Sequence, residues 1–365
     1  MEAIFHIGIA QSVFTAFVLI TRSKNLLPDK IMAAWMLAIA FELTHMLLQL
    51  NDHSLFRITS NFSFISLTFG PFLYIYVKKL LTGNGELYKA DIIHFLPYLI
   101  LTIIHLVFFT NRPMKGGGLM FDDAFVVFSF IKISALLVSL LYYSFRVINI
   151  ILKHQKNLPD TYSYSSSKIT LTWIKYISFV FIFTYYSLII FFLIDLNIGF
   201  EFSSHYIPAF GLTLISFSLS YYGLVQPSLE LDVAQPADSY EKGGKPTAED
   251  MKYSLEKLIE EIKKKHIFLN PELTIQELSD QVNIPRIYMT KMINEGLNKN
   301  FFTFINEFRV EEARKRLADP DFFQETVLSI GLDSGFNSKS SFNALFKQNT
   351  GMTPSEYRKE KMNER

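Results

Sequence analysis

Seven runs of apolar residues, each long enough to cross a bilayer, follow one another in the first 225 residues of this chain, at 3–21, 31–50, 60–77, 92–110, 125–145, 173–194 and 206–225. A hydrocarbon core about 30 Å thick takes about 20 residues at about 1.5 Å of rise each. Lipid offers no partner to a peptide group, so each run has to close its hydrogen bonds within itself, as a helix. The runs therefore predict an all-α chain that opens with a seven-transmembrane helix bundle. Half of the 365 residues are hydrophobic and 36 are Phe, yet the last third is plainly polar, so the excess sits in front. No basic stretch precedes the first run and no small-residue cleavage site follows it, so it is expected to stay as a helix rather than leave as a signal peptide.

Loop charge sets the expected orientation. The first, third and fifth loops carry ten positive residues: Arg22, Lys24 and Lys30, then Lys78, Lys79 and Lys89, then Arg146, Lys153, Lys156 and Lys168. The second, fourth and sixth carry three, Arg57, Arg112 and Lys115. Positive loops stay in the cytoplasm. Seven crossings then put the N-terminus outside and everything after residue 225 inside.

Residues 226–247 hold Pro227, Pro236, Gly243, Gly244 and Pro246 among polar neighbours and read as a flexible linker. Within 250–272, Met251, Leu255, Leu258 and Ile262 recur at helical spacing on a charged segment. That stripe suits either a short dimer seam or a helix packed on its own domain. The chain has no cysteine, which removes disulfides and thiolate metal sites. From Asp250 onward eighteen Lys and Arg face eighteen Asp and Glu, so charge balance alone does not point to nucleic acid.

The pattern of the last ninety residues does. Residues 326–334 carry Val327, Leu328, Ile330 and Leu332, Gly335 supplies a turn, and Ser338 is a good N-cap for a helix to about residue 349. Phe342, Leu345 and Phe346 give that helix a core face, while Lys339, Ser340, Asn343 and Lys347 can donate to base edges or phosphates from a major groove. Gly351 ends it, and Thr353 and Pro354 open another. Upstream, 274–282 with Ile275, Leu278 and Val282, then Asn283, Ile284 and Pro285, then a helix from 286 to about 297, form a first helix-turn-helix.

Taken together, Gly335, Phe336, Ser338, Ser340, Phe342, Phe346, Lys347, Gly351, Thr353, Pro354, Tyr357 and Arg358 resemble the C-terminal signature of the AraC family of bacterial transcription regulators. The resemblance covers about 273–358 and implies two helix-turn-helix units in 273–361, joined by a linking helix at 301–318 that contains Arg309, Val310, Glu311, Glu312 and Ala313. Its length, about 27 Å at about 1.5 Å per residue, suits two reading helices in adjacent major-groove turns of double-stranded DNA. By position in the family's motif, Arg286, Thr290 and Lys291 of the first unit and Lys339, Ser340 and Asn343 of the second face the groove. Lys347 and the amides capped by Ser338 hold phosphates. Pro285 stands where the family often has a capping Ser, and Ala344 where it often has a long basic side chain.

Within the apolar runs, Glu42 and Lys132 each lie about 12 Å from the outer end of their helix, close enough in depth to pair. His45 and His105 lie nearer the outer ends, and His6 near that of the first helix. Either these five line a polar, ligand-sensing cavity open to the outside, or Glu42 and Lys132 form a structural bridge with interfacial histidines around it. No usual metal-ligand spacing joins them, so neither metal nor cofactor is expected. The runs hold no GxSxG, HExxH or paired-aspartate motif, which argues against an enzyme. The expected function is a regulator in the bacterial cytoplasmic membrane with its DNA-binding part in the cytoplasm. The alternative is a receptor or transporter-like domain with a tethered regulator released by proteolysis.

Overall fold

The computed structural model describes residues 2–23, 26–82, 86–108, 123–198, 206–226 and 248–364. Linker positions 227–247 and the loop charges Lys24, Arg112 and Lys115 lie outside the described residues. What is described is helical, with one isolated antiparallel bridge between Tyr162 and Thr274. The chain divides into two compact units, Met1–Ile151 with Leu171–Asp232, and Leu152–Thr170 with Val233–Arg365.

The first unit holds α1 (Ala3–Thr21), α2 (Leu27–Leu50), α3 (Phe56–Thr59), α4 (Phe69–Thr82), α5 (Lys89–Ile93), α6 (Leu96–Phe108) and most of α7 (Asp123–Asn157). After the short α8 (Ser167–Thr170) of the second unit come α9 (Thr172–Ile198) and α10 (Tyr206–Val225). Among the described residues five segments are long and apolar enough to cross a membrane: α1, α2, Phe56–Thr82, Phe130–Asp160 and α10. Beside these stand α9, 27 residues long, and the apolar α6 of 13 residues.

The third expected crossing is not one smooth helix. Between α3 and α4 the backbone tightens into 3-10 turns at Ser60–Phe62 and Ile65–Thr68. The cause is local: Thr59, Ser60 and Thr68 each donate a side-chain hydroxyl to a carbonyl three residues back, competing with the regular ladder. The fourth, expected over 92–110, is split in turn, with α6 starting only at Leu96.

Polarity in this unit runs from inside to outside in the reverse of a water-soluble protein. Along α1 and α10 the small polar residues meet in the interior, with Ser12 and Ser216 hydroxyls 2.8 Å apart and Thr15 and Ser220 2.6 Å apart. Gly8 lies so close to Thr213 that no Cβ would fit. Phe14, Phe17, Phe210, Leu214 and Phe217 of the same helices stand exposed. Small residues at helix contacts and large apolar ones outside are what a lipid solvent selects. Trp35 fills the centre, stacked between Phe72 and Phe181 at ring distances of 6.5 and 5.7 Å.

The second unit contains α11 (Ala248–Lys264), α12 (Ile275–Val282), α13 (Arg286–Lys291), α14 (Phe301–Ala318), α15 (Val327–Asp333), α16 (Lys339–Thr350) and α17 (Pro354–Asn363). The two possible uses of the α11 stripe are separated here. Leu258 and Ile262 are buried in the unit's own core with Leu255 packed beside them, so these positions are spent within the chain. Two apolar clusters share α14. Its first half gives Phe301, Phe304 and Ile305 to a core with α11, α12 and α13, and its second half gives Val310, Ala313 and Leu317 to one with Ile330, Phe336, Phe342 and Phe346.

Two packing features yield expectations. Burial works against the Asp91 carboxylate, but hydrogen bonds from Lys78 and Lys79, at 2.7 and 2.8 Å, bring it below its ordinary 3.8 to about 2. Because the folded carboxyl titrates below its unfolded value, this contribution is intact above pH about 4 and fades as pH falls toward 2. Asp91→Asn leaves the buried Lys79 ammonium without its counter-charge and is expected to cost about 3–5 kcal/mol, read as a lowered melting temperature at neutral pH. Gly335, at φ +93°, has no room for a Cβ against the Phe268 carbonyl, whereas Gly351, at φ +80°, faces open space. Gly335→Ala is therefore expected to destabilise well beyond the strain of about 1–2 kcal/mol that Gly351→Ala incurs, checked by thermal melts of the two variants.

Candidate nucleic-acid interface

Each reading helix is positioned by a capped helix in front of it. In the first helix-turn-helix, the Thr274 hydroxyl accepts from the Glu277 amide at 3.2 Å, and the Glu277 carboxylate accepts from the Thr274 amide at 2.9 Å, which starts α12. Asn283, at φ 54°, ends α12 in a left-handed turn, and Pro285 occupies the N-cap position of α13 without a side-chain cap hydrogen bond, its fixed φ of -56° fitting the entry to the helix. The expected α-helix from 286 to about 297 is α only to Lys291 and continues as one π turn, Met292–Gly296. That wider turn keeps both Met292 and Ile293 in the core.

On the outer face of α13, Lys291 is exposed and Arg286 half-buried. Lys291 meets Glu295 at 3.8 Å, an exposed contact of little strength that leaves the ammonium able to turn elsewhere. The Thr290 hydroxyl donates to the Arg286 carbonyl at 2.9 Å, so its proton is spent on the backbone and it can offer only lone pairs outward. Sequence reasoning passed over Ile287, which stands exposed one helical turn from Lys291. An apolar side chain on an outer face was the available signal.

The second unit repeats the construction. Thr326 caps α15 through the Ser329 amide at 3.0 Å, and Ser338 caps α16 through the Ser341 amide at 3.2 Å. Phe342 presses on Gly331 of α15 too closely for any side chain there. This holds α16 with Phe342 and Phe346 inward, and Lys339, Ser340 and Lys347 exposed with Asn343 half-buried beside them. Ala344 and Gln348 are exposed on the same side. Arg358 is structural: its guanidinium donates to the carbonyls of Glu325 and Phe322 at 2.7 and 2.8 Å.

The polar groups of the first unit are brought together only in part. Phe64 gathers two of them, with the His105 ring 5.6 Å from its centroid and the Lys132 ammonium 4.9 Å away. Glu42 is buried, and one of its carboxylate oxygens has no hydrogen-bond partner among the described residues; the same holds for Trp35 Nε1 and the Tyr185 hydroxyl. His45 is engaged locally, with Nδ1 2.9 Å from the Thr59 hydroxyl and its ring stacked on Phe56. His6 stands exposed on α1. Among the described residues no cluster of His, Asp and Glu could hold a metal ion.

Comparison with known proteins bears on the second unit. The family description of a helix-turn-helix domain matches residues 278–360. Uncharacterised HTH-type transcriptional regulators of Staphylococcus aureus strains COL and N315 are each 35% identical over 92 residues, a quarter of this chain and 12% of theirs. The melibiose operon regulatory protein of Escherichia coli K12 is 30% identical over 87 residues, 24% of this chain and 28% of its own length. The chain thus spans a small part of the length of these relatives. No solved structure matches. The C-terminal unit carries a helix-turn-helix domain of the AraC type.

Proposed function

We propose that the chain is a membrane-bound, sequence-specific DNA-binding transcription regulator whose first unit senses an extracytoplasmic or membrane signal. The observation that carries this reading is that one polypeptide joins a helical unit with an apolar exterior to two reading helices, each preceded by a capped helix, set on a single linking helix. Seven crossings of the bacterial cytoplasmic membrane, with the N-terminus outside, would leave the DNA-reading unit in the cytoplasm, where its duplex is. The interior that holds Glu42, Trp35 and Tyr185 is the place where a signal ligand would find buried polar atoms that the described residues leave without a hydrogen-bond partner. Glu42, His45, His105 and Lys132 are the sensing candidates, with His6 the most peripheral. A ligand there acts by population shift, since it biases only those states it binds differently. A homodimer remains part of the reading, but through a surface other than Leu258 and Ile262, which are buried in the chain itself.

On the DNA side, Arg286, Lys291, Lys339, Ser340 and Asn343 reach base edges, Thr290 offers an acceptor, and Ile287 adds an apolar contact suited to a thymine methyl. Ser338 and Lys347 fix the register on phosphates.

Lys339→Ala is expected to relax specificity at one base pair by about 1–3 kcal/mol, while Lys347→Ala weakens all duplexes alike and lowers the salt slope by about one. Binding profiles across a set of mutated duplexes at several salt concentrations separate the two. A reporter fused after Arg365 is expected to be active only when it requires the cytoplasm, and activity confined to the periplasm would contradict the orientation.

A further inference from the structure

Between the two apolar clusters of the second unit, α14 carries a buried polar step made of Asn306 and Arg309, 2% and 1% exposed. Among the described residues no carboxylate pairs with the Arg309 guanidinium. It donates instead to oxygens from three places: the carbonyls of Phe268 and Asn270 at 2.8 and 2.6 Å, the Asn306 side chain at 3.2 Å, and the carbonyl and hydroxyl of Ser163 at 2.8 and 2.9 Å. Burial lowers its pKa to about 10, which leaves it a cation at neutral pH. A cation sealed in this way needs every one of its acceptors.

Ser163 is far away in sequence, in the connection between α7 and α9, yet it belongs to this unit. Its amide donates to the Leu273 carbonyl at 3.1 Å and the Ile275 amide donates to the Thr161 carbonyl at 2.9 Å, so the strap pairs with the chain just ahead of α12. The Asn306 side chain donates to the Ser163 carbonyl at 2.9 Å. The strap also reaches the end of the first reading helix and the turn that enters the second: Asn294, in the π turn after α13, donates to Asp160 at 3.3 Å, and Asn337, just ahead of the Ser338 cap of α16, to the Ser165 carbonyl at 3.4 Å. The strap thus contacts the linking helix, the approach to the first helix-turn-helix, the end of the first reader and the turn into the second, while its own two ends run on as α7 and α9.

Resting on the proposed DNA-binding reading, we propose that residues 158–165 are a positioning strap, which fixes the two reading helices relative to each other through Arg309 and is the route by which movement of α7 or α9 alters DNA affinity. A ligand-driven shift of either helix pulls on the acceptors of Arg309 and on both readers at once. Residues 226–247 then need act only as a tether. Cleavage there would part the DNA-reading unit from the strap that completes it, which speaks against proteolytic release as the way it works.

The full chain in lipid nanodiscs tests this with duplexes that it selects from a random pool, used intact and cut to a single half-site. Ser163→Pro removes the amide that holds the strap. It is expected to weaken binding of the intact duplex at least about tenfold, the loss of a linked second contact, with little change for the half-site. Unchanged affinity for the intact duplex, or an equal loss on both, overturns the proposal. Because the chain has no cysteine, Tyr162→Cys with Thr274→Cys gives a second measurement that does not depend on DNA. The facing pair is expected to close into a disulfide on mild oxidation in the nanodisc, and failure to close shows that the strap is not docked. Closure of the disulfide in the double variant, together with a wild-type chain that selects no duplex, sinks the DNA-binding reading and leaves the docking of the strap established.

Discussion

A positive charge sealed between two apolar cores is the constraint on which the C-terminal unit depends. The linking helix has to serve two clusters that face opposite helix-turn-helix units, and its fully buried apolar residues stop at Ile305 on one side and resume at Val310 on the other. Asn306 and Arg309 fill the gap. An isolated guanidinium at such a place would be prohibitive, so the chain surrounds it with carbonyl and hydroxyl oxygens in fixed directions. Five donors in a planar fork suit that task, and a lysine could not meet the same acceptors. The close passage of Gly335 beneath the Phe268 carbonyl belongs to the same arrangement, since that carbonyl also accepts from Arg309.

The first unit is organised by the opposite rule. Its interior collects serine, threonine and glycine at helix contacts, and its exterior carries phenylalanine and leucine. Such an arrangement pays off only where the solvent is itself apolar. Against that background Glu42, Trp35 and Tyr185 stand out, because each has a buried polar atom for which the described residues supply no hydrogen-bond partner.

Much of this could be read from the residues in order. Helix periodicity and capping residues pointed to a helix at 301–318, which the family resemblance marked as the linking one, and to the caps at Ser338 and Thr353, all of which the structure contains; the caps at Thr274 and Thr326 came only with the structure. Outward placement of Lys339, Ser340 and Lys347 followed from the spacing of Phe342 and Phe346. What periodicity does not carry was missed. The breaks at 60–68 come from hydroxyls turned back on the helix, and the π turn at 292–296 from the need to bury two adjacent residues. The use of Thr290 on its own helix and the exposure of Ile287 belong to side-chain detail below that resolution. The strap at 158–165 was legible only as a polar loop, because its partners lie more than a hundred residues away and no local pattern announces a contact of that range.

The central claim is that one chain holds a specific DNA sequence at a lipid surface. Flotation of vesicles bearing the full chain, mixed with a random pool of duplexes, tests it most directly. The account predicts that a small set of related sequences rises with the vesicles and is lost when Lys339 and Asn343 are replaced. Duplexes that stay at the bottom of the gradient, or that rise without regard to sequence, would contradict it.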